Sequence, residues 1–385
     1  MLDTPIESVA LTLKQVEDNG ALSEATRFSS ILVLHEEKIT LLGDCCVAFS
    51  RIRHLKKFFD DVPLTMNFTD KHNTKYIQGL LKNNPHINTI TELQWEDIAF
   101  QHFDLIICIM LDERKLLHFL DQHYGALIRN EVWKPAIYSL SRLMFEPEQA
   151  HFVFPANSSL NNYMIIPRYG ELYISAEERA WARQWLYGKG LRQHEKLSIL
   201  IDTSSYAGKL LNNDVYFEIL EYILNKENNK VLIFDENNSG KEALYRSRLN
   251  DTQMQRIIFS KGLTLREDLC LLGSEHVNLV FGPCSGLMHC ASGIYNNYVS
   301  NGLLADQVPL LTVYTGLYGE KTYSLQNWWG ESPLINCLLL RKEAGEYKLL
   351  QLRDLPREGR EDTDRLPCSE YPASLLITFL NSRLK

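Results

Sequence analysis

Short runs of apolar residues alternate with segments of helical spacing along most of the chain. In the first half, residues 103–110 form the clearest apolar run and lead into a helical pattern at 112–124. Residues 31–34 and 39–42 are two further runs of strand length, separated by a polar His-Glu-Glu-Lys stretch, and either can be the first core strand. This alternation predicts strands that are covered by helices.

The second half shows the same alternation more clearly. Thr264 and Glu267 fit a capping box that opens a helix at 265–272. Five apolar runs predict strands, at 197–202, 230–235, 256–259, 277–281 and 309–315. Continuous Val, Ile and Leu runs between helices are typical of parallel sheets covered on both faces. We therefore predict an α/β fold with two Rossmann-like, doubly wound parallel-sheet domains that face a cleft.

A segment rich in proline and glycine, at about 155–175, separates the two halves and indicates a linker. The length of 385 residues is sufficient for two domains. The predicted organisation is an N-terminal extension at 1–27, a first Rossmann-like domain at 28–165, a second at 166–345, and a charged loop with a terminal helix at 346–385. We expect the extension to form an amphipathic helix.

The composition is that of an ordinary globular protein, with 45% hydrophobic and 23% charged residues, which excludes a disordered or fibrous chain. The formal net charge of −8 does not suit a protein that coats nucleic acid. No basic segment with an apolar core opens the sequence, and no apolar run approaches the length of a membrane span. The eight cysteines form no CxxC pair, so we expect reduced thiols in a cytoplasmic protein.

Ligands of doubly wound sheets bind beyond the carboxyl ends of the strands, and three loops occupy such positions. The first contains Gly43 and Asp44, whose carboxylate can either cap the following helix or act as a general base. The second contains Thr203, Ser204 and Lys209. Its hydroxyls and ammonium group suit phosphate oxygens, and a solvated loop is the alternative.

The third loop, at 282–289, follows a strongly apolar strand and begins a helix. Backbone N–H groups and the positive end of the helix dipole form an anion site at such a place. Gly286 has no side chain that blocks a close approach of the ligand. A plain strand-to-helix turn is the alternative.

Motifs for metals and for other nucleotide sites are weak. Residues 362–364 have the D-x-D form that metal-dependent sugar transferases use, but they lie in a charged segment without strands. The cysteines and histidines between 270 and 290 match no standard zinc spacing. Gly240-Lys241 is not a phosphate-binding loop, because Glu242 stands where Ser or Thr is required. We therefore expect neither a metal nor a cofactor.

Several segments, taken together, resemble a known family, although no single segment is specific for it. Leu42-Gly43-Asp44 precedes a helix, Phe103-Asp104-Leu105-Ile106-Ile107 is an apolar strand, and Gly286-Leu287-Met288-His289 begins a helix. In these segments, in 82–90 and 174–182, and at Lys209, the chain resembles the heptosyltransferase-type family of glycosyltransferases (ADP-heptose:LPS heptosyltransferase-like), whose two-domain fold is called GT-B. The similarity extends over about 28–385 and is best at 197–316.

The chain departs from the family pattern at three places. Cys284 replaces the acidic residue of the family's Asp-Ser-Gly loop. A polar insert at 35–38 interrupts the strand before Gly43, and Cys45-Cys46-Val47 stands where an apolar residue, Thr and Pro are common.

The resemblance implies an inverting, metal-independent glycosyltransferase. The donor would be a nucleotide-diphosphate sugar of the ADP-heptose type, bound by the second domain. The acceptor would be a hydroxyl of a glycan or glycolipid, such as lipopolysaccharide, or of a protein, bound by the first domain. Asp44 and Lys209 are the implied catalytic residues. The implied donor contacts are Gly43, Thr203, Ser204, Asp235, Ser285, Gly286, Leu287 and His289, and the implied acceptor contacts are Arg51 and Arg53.

Two other functions fit the same fold. Cys284 and the altered segment after Asp44 suggest a catalytically silent scaffold that binds nucleotide sugars. Another two-Rossmann enzyme, such as a nucleotide-sugar epimerase, is the second alternative. In each case we expect no nucleic-acid partner and no integral membrane span. The expected location is the cytoplasm, either free or peripheral at the inner membrane face.

Overall fold

In a computed structural model the chain divides into two units, and each unit has a β-sheet at its centre. The sheet is wholly parallel in the first unit and mostly parallel in the second. The first unit contains Met1–Gln78 and Asn84–Arg168, and the second contains Gly79–Asn83 and Tyr169–Lys385. The structure describes residues 6–22, 28–35, 42–60, 62–69, 78–109, 113–140, 159–165, 169–235, 238–317, 325, 329, 332–356 and 365–384.

The first unit has a five-stranded sheet. Its strands are β1 (Ile31–His35), β2 (Leu64–Phe68), β3 (Thr89–Thr91), β4 (Leu105–Ile109) and β5 (Ala136–Ser139). Its helices are α1 (Ile6–Leu22), α2 (Leu42–Phe49), α3 (Ile52–Phe59), α4 (Glu113–Arg129) and α5 (Ser159–Ile165). The strand order is β3-β2-β1-β4-β5, and every pair of neighbours is parallel. A doubly wound parallel sheet was predicted here and is confirmed.

The first core strand is the earlier of the two candidate runs. All five residues of β1 are buried. The later candidate run, 39–42, was expected to end at Leu42, but Leu42 is the first residue of α2, so the prediction of a strand is wrong for that residue. Residues 39–41 lie outside the described residues. Gly43 and Asp44 are consequently in the first turn of a helix.

The helix expected in the N-terminal extension is present as α1, and it packs against α4 and β5. The Asp121 carboxylate of α4 accepts a hydrogen bond from Thr12 at 2.5 Å and pairs with Arg129 at 2.6 Å. Asn19 donates to the Pro135 carbonyl at 3.2 Å, just before β5. The N-terminal helix is therefore part of the first unit.

The second unit has a seven-stranded sheet of order β12-β11-β10-β9-β6-β7-β8. Its strands are β6 (Lys196–Leu200), β7 (Asn229–Asp235), β8 (Ile257–Lys261), β9 (Val277–Pro283), β10 (Leu310–Thr315), β11 (Ile335–Glu343) and β12 (Glu346–Gln351). Its helices are α6 (Ala176–Gly188), α7 (Asn213–Leu224), α8 (Lys241–Arg248), α9 (Asp251–Met254), α10 (Leu265–Leu272), α11 (Gly286–Ser300) and α12 (Ala373–Arg383). All five strands predicted for this half are confirmed.

The segment expected to begin the charged C-terminal loop differs from its prediction. Residues 346–351 form β12, which pairs antiparallel with β11 across a turn at Ala344-Gly345. Charged residues on an exposed edge strand produce the same sequence pattern as a surface loop, and this explains the difference. The predicted terminal helix is present as α12.

One largely buried ion pair fastens residues 79–83 to the rest of the second unit. Arg266 donates to the Glu178 carboxylate from Nε at 2.9 Å and from Nη2 at 2.6 Å, and to the Gly79 carbonyl at 2.9 Å. Lys82 Nζ lies 2.9 Å from the same carboxylate. Burial alone would raise the pKa of Glu178, but hydrogen bonds from Arg266, the Ser175 N–H and Lys82 lower it to about 2.

In each sheet the chain first adds strands toward one edge and then continues toward the opposite edge, so the strand order reverses at one place. The reversal lies between β1 and β4 in the first unit and between β6 and β9 in the second. A Cβ on Gly282 of β9 would lie 2.7 Å from Cβ of Ile201, so only glycine fits beside the end of β6. Ligands of such sheets bind beyond the carboxyl ends of the strands at these reversals.

Candidate functional site

Two of the three predicted loops lie side by side at the reversal point of the second sheet. β6 and β9 are parallel neighbours in which Leu200 pairs with Phe281, and the Ile201 N–H donates to the Phe281 carbonyl at 2.9 Å. The loop after β6 carries Thr203, Ser204 and Lys209, and the loop after β9 leads into α11. The structure therefore brings together two loops that are far apart in the sequence.

The start of α11 has the features of an anion site. Ser285 occupies the N-cap position, but its side chain makes no capping hydrogen bond. The first N–H groups of a helix, here from Gly286 and Leu287, have no partner within the helix and lie at the positive end of its dipole. The Oγ atoms of Ser285 and Ser204 are both buried without a hydrogen-bond partner in the structure. Each of these hydroxyls therefore lacks the hydrogen bond that a ligand oxygen beside it would supply.

Lys209 supplies a positive charge close to this helix start. It ends a short turn, Ala207–Lys209, in the loop after β6. Burial, and then the charge of Lys209, lowers the pKa of His289 to about 3. His289, in the first turn of α11, is therefore neutral at physiological pH. Thr203 is exposed in the same loop.

Asp235, predicted to contact a ribose, is completely buried at the end of β7. Its Oδ1 accepts hydrogen bonds from the N–H and the hydroxyl of Ser239, both at 2.8 Å. Its Oδ2 is buried without a hydrogen-bond partner in the structure. Asp235 thus closes the turn before α8, and its role toward a ribose stays a prediction.

A polar network at the same edge of the sheet was missed in the sequence. Asp202, just after β6, accepts hydrogen bonds from Lys241 at 2.6 Å and from Tyr245 at 2.9 Å. The hydroxyls of Tyr245 and Tyr216 lie 2.6 Å apart. Asp202 closes the predicted apolar run at 197–202, and this position was the available signal. Lys241, rejected above as part of a phosphate loop, pairs with this carboxylate.

Two carboxylates mark the reversal point of the first sheet. Asp44 is in the first turn of α2, which follows β1, and Glu113 begins α4, which follows the neighbouring strand β4. Asp44 is partly buried, whereas Glu113 is 4% exposed and accepts a hydrogen bond from Ser139 at the end of β5. Glu113 was missed because its neighbours in the sequence are charged and indicate a solvated helix start.

The two predicted acceptor residues have different surroundings. Arg51 lies between α2 and α3 and donates to the Met164 carbonyl at 3.2 Å. The charge of Arg53 acts on His86, in the turn before β3, whose pKa falls to about 4 through burial and then through Arg53 and Lys57. That turn is at the amino ends of the strands, whereas Asp44 is at their carboxyl ends. The acceptor roles of Arg51 and Arg53 stay predictions.

Side chains of His, Cys, Asp and Glu, and helices of several lengths, are distributed over the described part of the chain. Within it, no three His, Cys, Asp or Glu side chains are grouped so that they could hold a metal ion. Among the same residues, no helix has both the length and the apolar character needed to cross a membrane. All eight cysteines lie among the described residues and outside any disulfide, and seven of them are buried.

Comparison with known proteins supports the fold. No protein-family model matches the sequence, and no curated protein matches it. Among solved structures, ADP-heptose LPS heptosyltransferase II of E. coli is similar with a TM-score of 0.61 and 13% identity, over 92% of this chain and 98% of that one. A glycosyl transferase of family 9 from Veillonella parvula DSM 2008 is similar with a TM-score of 0.56 and 14% identity, over 92% of this chain and 97% of that one. The resemblance seen in the sequence is thereby confirmed for the fold, which is GT-B.

Proposed function

We propose that the chain is a glycosyltransferase that moves a sugar from a nucleotide-diphosphate donor of the ADP-heptose type to a hydroxyl of a glycan or glycolipid. The observation that carries this proposal is the pair of buried, unpartnered hydroxyls: Ser285 at the start of α11, and Ser204 in the neighbouring loop that also carries Lys209. Oxygen acceptors with negative charge, such as those of a diphosphate, match this set of donors. The fold shared with the heptosyltransferase supports the same conclusion.

The donor half of the reaction requires stabilisation of the leaving diphosphate. Charge develops on its oxygens as the bond to the sugar breaks. Backbone N–H groups of Gly286 and Leu287 and the ammonium of Lys209 can stabilise that charge without a metal. A single preorganised donor of this kind contributes about 2.7–4 kcal/mol to lowering a barrier.

The acceptor half requires a base. Asp44 in the first turn of α2 is the proposed base, because a carboxylate is the basic group at this end of the sheet and the positive end of a helix favours negative charge. It would take the proton of the acceptor hydroxyl while the oxygen attacks the anomeric carbon on the face opposite the diphosphate. Such a displacement inverts the configuration at that carbon. Inversion, metal independence and a cytoplasmic location, either free or peripheral at the inner membrane face, are parts of the proposal.

The residue at position 284 bears on the choice between the active enzyme and the catalytically silent scaffold. Cys284, which replaces the family's acid, is 3% exposed and accepts a hydrogen bond from the Trp329 indole at 3.4 Å. Its side chain therefore has a structural contact, and the charged groups named above remain in place. This observation favours the active enzyme over the silent scaffold.

A thermal-shift screen with ADP-, GDP-, UDP- and CDP-linked sugars tests the donor site. A donor at 100 times its dissociation constant stabilises by about 2.7 kcal/mol. We expect one donor to raise the melting temperature, and Lys209→Met to reduce that rise. Lys226→Met, just beyond the C-cap of α7, is the matched control and is expected to leave the rise unchanged. No shift with any of the four donors would contradict the proposed function.

A further inference from the structure

Trp329 contacts both sides of the loop that precedes α11. Its side chain is almost completely buried. The indole N–H donates to Sγ of Cys284 at 3.4 Å. The indole ring also stacks on the imidazole of His289, with ring centroids 3.9 Å apart and planes 10° from parallel. Cys284 immediately precedes Ser285, and His289 is in the first turn of α11. The Trp329 side chain therefore contacts residues on both sides of Ser285.

The stack determines in which directions His289 can form hydrogen bonds. Hydrogen bonds of an imidazole lie in the plane of its ring, and an indole at 3.9 Å prevents the ring from turning out of that plane. The neutral form of His289 has one donor and one acceptor nitrogen. Trp329 thus fixes the plane in which both ring nitrogens of His289 form hydrogen bonds.

The thiol of Cys284 completes this arrangement. A buried indole N–H requires an acceptor, and the sulfur provides one. A carboxylate at the same position would place a negative charge near His289 and favour the protonated ring. With the thiol, Lys209 remains the cation whose charge acts on His289. The sulfur of Cys284 and the indole N–H of Trp329 are therefore complementary as acceptor and donor.

We propose that Trp329 is a positioning residue of the donor site: through its stack on His289 and its hydrogen bond to Cys284, it fixes the imidazole and the loop before α11 in the arrangement that binds the donor diphosphate. This inference rests on the proposed function. Trp329 itself is buried, so the proposed role is to hold the groups that meet the donor. Cys284 accordingly serves as the acceptor for the indole rather than as the remnant of a lost acid.

Three variants separate the parts of this arrangement. Trp329→Phe keeps an aromatic ring but lacks the N–H, Cys284→Ala keeps the indole but lacks its acceptor, and Trp329→Leu removes the stack. Trp133→Phe is the matched control, because it removes another buried indole N–H, which donates to the Phe103 carbonyl at 2.9 Å in the first unit.

Two measurements are made on each folded variant. Titration calorimetry with ADP, GDP, UDP and CDP gives the affinity for the nucleotide that the wild type binds, and NMR of the imidazole nitrogens reports the ring of His289 without nucleotide. We expect Trp329→Phe and Cys284→Ala to weaken the affinity about three- to tenfold, as for the loss of one hydrogen bond. Trp329→Leu should weaken it further and shift the His289 ring signals. The Trp133→Phe control should change neither.

The outcomes distinguish this inference from the proposed function. If the wild type binds a nucleotide and the Trp329 and Cys284 variants bind it equally well with unchanged ring signals, the positioning role is wrong and the function stands. If Trp329→Leu does not fold, Trp329→Phe and Cys284→Ala decide by affinity alone. If the wild type binds none of the four nucleotides, the proposed function fails and the positioning role fails with it.

Discussion

The guanidinium of Arg266 and the carboxylate of Glu178 form a two-point pair within the second unit, at 2.9 and 2.6 Å. Arg266 also donates to the carbonyls of Gly79 and Tyr173, so the pair joins three segments that are separate in the sequence. Both side chains are nearly buried, at 12% and 13% exposure. Removal of Glu178 therefore leaves the Arg266 guanidinium without a carboxylate and largely away from water.

We expect Glu178→Gln to destabilise the second unit by about 3 kcal/mol, the lower range for broken buried pairs. Urea unfolding at pH 7 measures the change. Glu275→Gln is the control, because Glu275 pairs with Arg183 at the surface, where about half of each side chain is exposed. That substitution should cost less than about 1 kcal/mol. Equal effects of the two variants would contradict the buried-pair interpretation.

The same pair predicts how stability depends on pH. The pKa of Glu178 is lowered to about 2 from its ordinary value of 4.5, so its ionised form favours the folded state. This contribution is fully present above pH 4.5 and is lost as the pH falls toward 2. The stability difference between wild type and Glu178→Gln should therefore shrink as the pH is lowered through this window. A difference that is constant from pH 6 to pH 2.5 would refute the assignment.

The hydroxyls of Ser204 and Ser285 should be unnecessary for folding and necessary for binding. Each is buried without a hydrogen-bond partner, so Ser→Ala at either position should leave the stability of the free protein unchanged or raise it. Affinity for the nucleotide should fall about tenfold, as for a lost hydrogen bond to a charged group. Calorimetric titration and urea unfolding measure the two effects.

Ser260→Ala is the matched control for these two serines. Its hydroxyl is buried but donates to Asp268 at 2.5 Å. This substitution should destabilise by about 1 kcal/mol and leave nucleotide affinity unchanged, the reverse of the pattern expected for Ser204 and Ser285. Loss of stability in all three variants would show that the two hydroxyls have internal partners.

Asp44→Asn should abolish sugar transfer while nucleotide binding persists. A positioned general base typically contributes about 10²–10⁴-fold to the rate, so turnover should fall at least a hundredfold. Coupled detection of the released nucleoside diphosphate measures turnover, and calorimetry measures donor binding. Asp60→Asn, at the exposed end of α3, is the control and should retain full activity. Unchanged turnover in Asp44→Asn would remove Asp44 from the mechanism.

Local features of the fold were predictable from short stretches of sequence. The capping box of Thr264 and Glu267 is formed as predicted at the start of α10. Continuous apolar runs predicted the central strands, because strands buried on both faces carry no polar alternation. The choice between 31–34 and 39–42 was not predictable, since both runs have the same length and character.

Contacts between distant side chains could not be predicted in the same way. Lys241 meets Asp202 across 39 residues, and Trp329 meets Cys284 across 45. Glu113 is paired with Ser139 only because β4 and β5 are neighbours. Strand order placed the loops of Ser204 and Ser285 together, but the lack of partners for their hydroxyls is visible only in three dimensions.

The contact of Thr12 with Asp121 also has a consequence for biosynthesis. These residues are 109 positions apart, so α1 leaves the ribosome long before the helix on which it packs. Until β5 and α4 are made, the apolar side of α1, including Val16, has no native surface to cover it. Helix α1 therefore emerges without the surface on which it packs, and it can reach its final place only after α4 and β5 have been translated.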